Sequence, residues 1–327
     1  MSEVLLSVKN LTVGYAEGQN KNILFDNLDI HLKAGELVCF MGSNGIGKST
    51  LIRTLAGLHP PLVPSSGGKV AGSWIMGVDP KKISVILTDR INAVNMTVEE
   101  LITYGRYPYL DWDIKLNDHD HKLIEQAIAL THIQHLVSKK IYELSDGQLQ
   151  MTMIARALAQ DTPIIILDEP TAHLDLNNRV EIMNLLRNLS RKEKKAILVA
   201  THELDLALQT ADLVWLAGRD KKILSGIPED LVLNGSFDEL FQLKGFDLKT
   251  GKVFHETHRN VSVGLIGKGY EYLWTRNALE RNGYEIMEHA DTNITIEESG
   301  GRTTWVYKDQ TFNSLLDMLN QLQKIRS

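Results

Sequence analysis

The sequence predicts an α/β protein: an antiparallel β layer at the N-terminus, a parallel core sheet covered by helices, and a small α+β unit at the C-terminus. Three observations carry this. The glycine-rich stretch Gly42-Ser43-Asn44-Gly45-Ile46-Gly47-Lys48-Ser49-Thr50 separates an apolar run, Glu36–Met41, from a helical pattern, Leu51–Ala56. Between Ile164 and Leu216 short apolar runs alternate with helical patterns, as parallel strands joined by crossover helices do. Near residue 250 the pattern changes, and residues 261–324 read β-α-β-β-β-α. A chain of 327 residues is long enough for one large domain and a small one.

Taken in order, residues 1 to about 32 alternate apolar and polar, as in Leu11-Thr12-Val13-Gly14-Tyr15, which predicts the antiparallel layer. Pro60 to Gly68 marks a loop, with short strands expected at Lys69–Ile75 and Ile83–Leu87. Thr97 and Glu100 form a capping box for a helix through Gly105; a second helix covers Asp118–Ala129. Ser145 and Gln148 form another box, for a helix to Leu158. There follow strand Ile164–Leu167, helix Leu176–Ser190, strand Ala196–Thr201, helix Glu203–Thr210 and strand Leu213–Leu216. The C-terminal unit reads Val261–Leu265, Glu271–Asn282, Glu285–Glu288, Asn293–Glu297, Arg302–Tyr307 and a final helix Thr311–Lys324.

The stretch 42–50 fills every fixed position of G-x-x-x-x-G-K-[ST]. Glycines let backbone N–H groups turn inward round an anion, and the following helix adds unpaired donors and a partial positive charge. Lys48 can then reach β- and γ-phosphates, and the Ser49 hydroxyl can ligate Mg²⁺. A second constellation is Ile164-Ile165-Ile166-Leu167-Asp168-Glu169, a buried strand that ends in two carboxylates at the ligand edge of a parallel sheet. Asp168 would hold Mg²⁺, directly or through water. Glu169 would activate the attacking water, an effect of about 10²–10⁴ in rate.

Composition narrows the field. The net charge of −6, from 35 basic and 41 acidic residues, gives no support to a nucleic-acid partner. No apolar run approaches the roughly 18–20 residues of a membrane span, and the N-terminus does not read as a secretory signal. The lone Cys39 can build neither an intrachain disulfide nor a structural zinc site, and core packing explains it. A cytoplasmic setting is expected.

In order and spacing these motifs resemble the nucleotide-binding subunits of ABC transporters, over roughly residues 3–245. The resemblance implies a P-loop NTPase ABC ATPase domain at 1–250, with a helical subdomain at about 90–160; the small α+β domain at 255–327 lies outside it, and regulation and dimer bracing are the two roles expected for it. The resemblance implies ATP and Mg²⁺ as cofactors. By it Gly42, Ser43, Asn44, Gly45, Ile46, Gly47, Lys48, Ser49 and Thr50 bind ATP, and Tyr15 stacks on adenine. Glu169, His202 and Lys48 are catalytic, His202 acting at the γ-phosphate; Ser49 and Asp168 hold Mg²⁺. Ser145, Asp146, Gly147 and Gln148 form a signature motif that reaches ATP held by a second copy, and Asp175 is the D-loop aspartate. Two chains would sandwich two ATP molecules.

Two positions depart from the family. Asp146 replaces a glycine; a carboxylate would repel the γ-phosphate, so it is expected to point away and leave the Ser145 hydroxyl and Gly147 N–H as donors. No glutamine occurs between Gln19 and Gln126, and Thr88 takes the place of the usual glutamine, its hydroxyl within reach of a metal-bound water.

Thr97-Val98-Glu99-Glu100-Leu101 and Gly105-Arg106-Tyr107-Pro108-Tyr109 are similar to the ATPases that drive uptake of iron-siderophore, haem and cobalamin. That implies separate multi-span permease subunits, a substrate-binding protein and a peripheral place on the cytoplasmic face of the inner membrane. Tyr107 and Tyr109 are candidates for docking the permease. The rival readings are a soluble ABC ATPase of translation or repair and a mainly regulatory subunit. Against the first stand the single nucleotide unit, the lack of heptads and the single cysteine; against the second, intact Glu169 and His202. Gly264 to Gly269 is not a second phosphate loop, since the glycine spacing is wrong and no Ser or Thr follows Lys268.

Overall fold

Two long strands, β1 (Val4–Glu17) and β2 (Asn20–Lys33), pair antiparallel and form the N-terminal layer. The computed structural model describes residues 2–17, 20–62, 79–88, 95–241, 246–248, 252–253, 259, 261–288, 290, 292–299 and 302–324. The expected strand at 69–75 lies outside the described residues. Alternation in β2 buries Phe25, Leu28, Ile30 and Leu32, which join Val38, Phe40, Ile166 and Leu198 of the central sheet in one apolar cluster.

That sheet is built from β3 (Leu37–Met41), β4 (Ile83–Ile86), β5 (Ile164–Asp168), β6 (Ala196–Ala200), β7 (Leu213–Ala217) and β8 (Ile223–Gly226). Their order is β4-β5-β6-β3-β7-β8, parallel except for the antiparallel pair β7/β8. Every residue of β3, β5 and β6 is buried, which explains their unbroken apolar sequences. The intervening helices are α1 (Lys48–Leu55), α2 (Val98–Thr103), α3 (Asp118–Leu130), α4 (Asp146–Ala159), α5 (Leu176–Glu193) and α6 (Leu204–Thr210). Thr97 and Glu100 do form a capping box, as do Ser145 and Gln148.

Helix α2 stops at Thr103, short of the expected Gly105, and passes into a 3₁₀ turn, Tyr104–Tyr109. Pro108 lacks the N–H that an α-helix would need there. Arg106 pins this turn: Nε donates to Asp120 Oδ1 of α3 at 2.8 Å, and Nη1 to the Ala159 carbonyl of α4 at 2.9 Å. The short edge strand β8 and helices α7 (Pro228–Leu233) and α8 (Ser236–Phe241) were not anticipated. No helix among the described residues is long and apolar enough to cross a membrane.

The chain divides into compact units at 1–242 and 243–327. In the second, a two-stranded ribbon, β9 (Phe246–Asp247) and β10 (Lys252–Val253), precedes a five-stranded sheet. The sheet contains β11 (Ser262–Ile266), β12 (Glu285–Met287), β13 (Asn293–Ser299), β14 (Arg302–Tyr307) and β15 (Gln310–Phe312), ordered β12-β11-β13-β14-β15. Helices α9 (Gly269–Arg281) and α10 (Leu315–Lys324) contribute Leu279, Met318 and Leu322 to its own apolar cluster. The expected helix from Thr311 is corrected here. Lys308 and Asp309 both take positive φ, 47° and 59°, the backbone of a two-residue hairpin turn, so residues 310–312 pair with β14 before α10 begins.

Candidate active site

The strand order decides which loops meet. Strands β5, β6 and β3 are neighbours, so the residues following their carboxyl ends, Glu169, Thr201–His202 and Gly42, gather at one sheet edge. The phosphate loop leaves β3 at Gly42 and enters α1 at Lys48 through Gly45 and Gly47, whose φ values of 76° and 111° favour glycine. A Cβ on Gly47 would also stand 3.0 Å from Leu24 Cδ1. Gly47 supplies no side-chain cap, and the first N–H groups of an α-helix have no partner within the helix itself. Lys48 is buried and folds back over the loop, its Nζ donating to the carbonyls of Gly42 (2.9 Å) and Ser43 (3.3 Å). Burial lowers its pKa, against the pull of the Glu169 and Asp168 charges.

Asp168 is buried, and its Oδ1 has no hydrogen-bond partner. Thr88 Oγ1 donates to Oδ2 at 3.4 Å. Burial pushes this carboxyl above its usual range; the hydroxyls of Ser49 and Thr88 and the charge of Arg53 offset part of that, while Glu169 adds to it. An unpartnered buried carboxylate oxygen beside two hydroxyls is a hard-oxygen set that fits Mg²⁺.

Glu169 has a left-handed backbone, φ 51°, which a non-glycine residue adopts only when the surroundings enforce it. Here its N–H donates to the Ala200 carbonyl at 2.9 Å, carrying the β5/β6 pairing one residue further. Thr201 N–H likewise donates to Phe40 O at 3.1 Å, and Thr201 Oγ1 accepts from Glu203 N–H at 3.0 Å. These bonds aim the adjacent side chains at each other: His202 Nδ1 lies 3.6 Å from Glu169 Oε2, and Nε2 lies 3.7 Å from Glu203 Oε1. Arg179 Nη1 holds Glu203 at 2.8 Å, and Arg179 Nε donates to Leu174 O.

Tyr15, at the end of the N-terminal layer, shares a 2.8 Å hydrogen bond between its hydroxyl and Thr50 Oγ1. The structure therefore brings Tyr15, residues 42–50, Thr88, Asp168, Glu169 and His202 to one place. The signature residues are organised separately. Ser145 caps α4, accepting from Gln148 N–H at 3.3 Å while its own N–H donates to Gln148 Oε1 at 3.2 Å. Asp146 is exposed in the first turn, where a carboxylate favours the helix dipole. Asp175 caps α5 by accepting from Asn178 N–H at 2.9 Å and Asn178 Nδ2 at 3.0 Å. Asn178 in turn leans on buried Gly147. The N-termini of α4 and α5 are thus tied to each other.

Residues 25–172 match the ABC transporter family, and residues 260–323 match the iron ABC transporter C-terminal domain. An ABC transporter ATP-binding protein of Methanocaldococcus jannaschii is 37% identical, over 86% of this chain and 98% of its own length. A petrobactin import ATP-binding protein of Bacillus anthracis is 36% identical, over 73% of this chain and 87% of its own. The chain belongs to the ABC transporter ATP-binding proteins. Among solved structures, an inward-facing ABC transporter of metal-chelate type aligns with this ABC ATPase at TM-score 0.62 and 27% identity, covering 74% of the chain and 90% of that one.

Residue patterns did not single out several groups in the ABC ATPase. Thr201, Glu203, Arg179 and Asn178 act through contacts between elements distant in sequence. His59 had a faint signal, an imidazole just past a phosphate-loop helix. One expectation is corrected: Tyr109 is not a free docking residue. The Arg106 guanidinium lies 4.0 Å from its ring centroid and the side chain is half-buried, whereas Tyr107 is exposed and pairs edge-on with Tyr104 at 4.3 Å.

Proposed function

We propose that this chain is the ATP-hydrolysing subunit of an importer for an iron chelate, a siderophore or haem, or for cobalamin. The observation that carries the chemistry is the convergence of Glu169, His202 and the orphaned Asp168 oxygen beside the phosphate loop. The match of residues 260–323 and the relative named for petrobactin import support an iron chelate as cargo.

In this reading Tyr15 supports adenine. Backbone N–H groups of the loop and Lys48, released from the Gly42 and Ser43 carbonyls, take the β- and γ-phosphates. Ser49 and Asp168, with Thr88 beside them, would hold Mg²⁺, which when bound would supply positive charge against the phosphates. Glu169 accepts the proton of the attacking water, and His202 bonds the γ-phosphate. A second copy closes head to tail, and its Ser145 hydroxyl, Gly147 N–H and α4 N-terminus complete the phosphate shell. Hydrolysis then loosens the pair.

In this reading the permease docks at a cleft of about 720 Å³ lined by Met96, Glu100, Tyr104, Tyr107 and His121, and the chain works as a peripheral subunit on the cytoplasmic face of the inner membrane. A substrate-binding protein delivers the cargo, and no nucleic acid takes part. The C-terminal unit is regulatory or dimer-bracing, since every catalytic residue named here lies in residues 1–242.

The test is Glu169→Gln in the assembled transporter. ATPase should fall by about 10²–10⁴ with nucleotide binding kept; an unchanged rate removes Glu169 from the base role. Vesicle uptake of ferric siderophore, haem and cobalamin, run side by side, identifies the cargo, and uptake of none of them overturns the assignment.

A further inference from the structure

After α1 the chain turns back on itself. Leu58 and His59 N–H both donate to the Arg53 carbonyl, at 2.8 and 3.1 Å, and Leu62 N–H donates to Thr12 O at 2.9 Å. This lays His59 over β1, next to Tyr15. Its Nε2 lies 2.9 Å from the Gly14 carbonyl; a carbonyl only accepts, so Nε2 carries the hydrogen. The imidazole and the Tyr15 ring stand 5.0 Å apart between centroids, tilted by 56°, within the range of favourable ring pairs. Tyr15 is therefore held twice, by His59 at the ring and by Thr50 at the hydroxyl. It nevertheless remains 47% exposed, so the ring is braced without being covered.

We infer that His59 is a positioning residue for nucleotide binding: it fixes the Tyr15 ring as a preformed platform for the purine base, tied through Thr50 to the phosphate loop. This rests on the reading of Tyr15 as the adenine-stacking residue. A preset ring spares the ordering that a mobile side chain would undergo on binding. The role concerns the base end of the ligand alone, because His59 bonds β1 and not the loop.

The test compares His59→Ala, His59→Phe and Tyr15→Ala in the full chain, reading KM for ATP, kcat and the affinity for inorganic tripolyphosphate, which has no base. For His59→Ala, KM for ATP should rise about three- to tenfold, with kcat and tripolyphosphate affinity held. His59→Phe keeps a ring against Tyr15 and should recover part of the loss. If Tyr15→Ala raises KM and His59→Ala does not, the His59 inference is wrong while the Tyr15 reading stands. If neither variant changes KM, the stacking reading itself fails. A parallel loss of tripolyphosphate affinity in His59→Ala would show a defect of the loop and overturn the inference.

Discussion

His202 and Glu169 face each other across the ends of two neighbouring parallel strands, with 3.6 Å between Nδ1 and Oε2. Neither side chain holds the other by a short hydrogen bond. The pairing of β5 with β6, extended by the Glu169 N–H to Ala200 carbonyl bond, aligns them. Glu203, on the far side of the imidazole, is held by Arg179.

From this arrangement His202→Ala should lower kcat by about 10²-fold or more, with the affinity for ATP changed little, if the imidazole acts at the reacting end as proposed. Steady-state ATPase kinetics of the assembled transporter check this. A variant with full kcat would remove His202 from the mechanism.

The buried pair of Arg106 and Asp120, 2.8 Å apart, should be a stability element of the helical subdomain. Asp120→Asn leaves a buried guanidinium without its counter-charge, at a cost of about 3–5 kcal/mol, so the melting midpoint should fall by roughly 10 °C. Burial alone would raise the Asp120 pKa, but hydrogen bonds from Asn117 and Arg106 and the Arg106 charge hold it below the usual 3.8. A depressed carboxylate stabilises the fold above its unfolded pKa and loses that contribution as pH falls through the folded value. The gap between parent and variant should therefore be widest near neutral pH and close below pH 3.8. A gap that grows on acidification would contradict the pairing.

A Cβ on Gly147 would stand 2.9 Å from Asn178 Nδ2 and 3.0 Å from its Cγ. Gly147→Ala should therefore push Asn178 off Asp175 and disturb the start of both α4 and α5, the segments proposed to reach the second copy. Alanine's helix propensity, about 1 kcal/mol better than glycine's, offsets the local strain, so melting should change little. ATPase should drop by about tenfold while ATP binding to the isolated chain is kept. Unaltered ATPase would mean that Asn178 yields freely and couples nothing.

Much of this is legible in the sequence. The phosphate loop, the Asp168-Glu169 strand end and the capping boxes at Thr97 and Ser145 are local patterns, set by backbone geometry within a few residues. Other readings failed where a distant partner decides. Tyr107 and Tyr109 look alike beside Pro108, yet Arg106 claims one ring and leaves the other exposed. Thr311 belongs to a helical pattern but pairs as a strand, since the turn at Lys308 and Asp309 brings it back to β14.

The sequence by itself determined the chemistry: which atoms can cradle phosphate, bind a hard cation and accept a proton, and that they follow strands of a parallel sheet. Only the tertiary structure decided the neighbours. The β5-β6-β3 order sets His202 against Glu169, burial leaves one Asp168 oxygen without a partner, and a backtracking turn lays His59 on Tyr15. Hydrogen bonding along the backbone is local and periodic and therefore readable in a string. Strand order and side-chain contact arise from closing long loops around a shared core, and no short window of sequence encodes them.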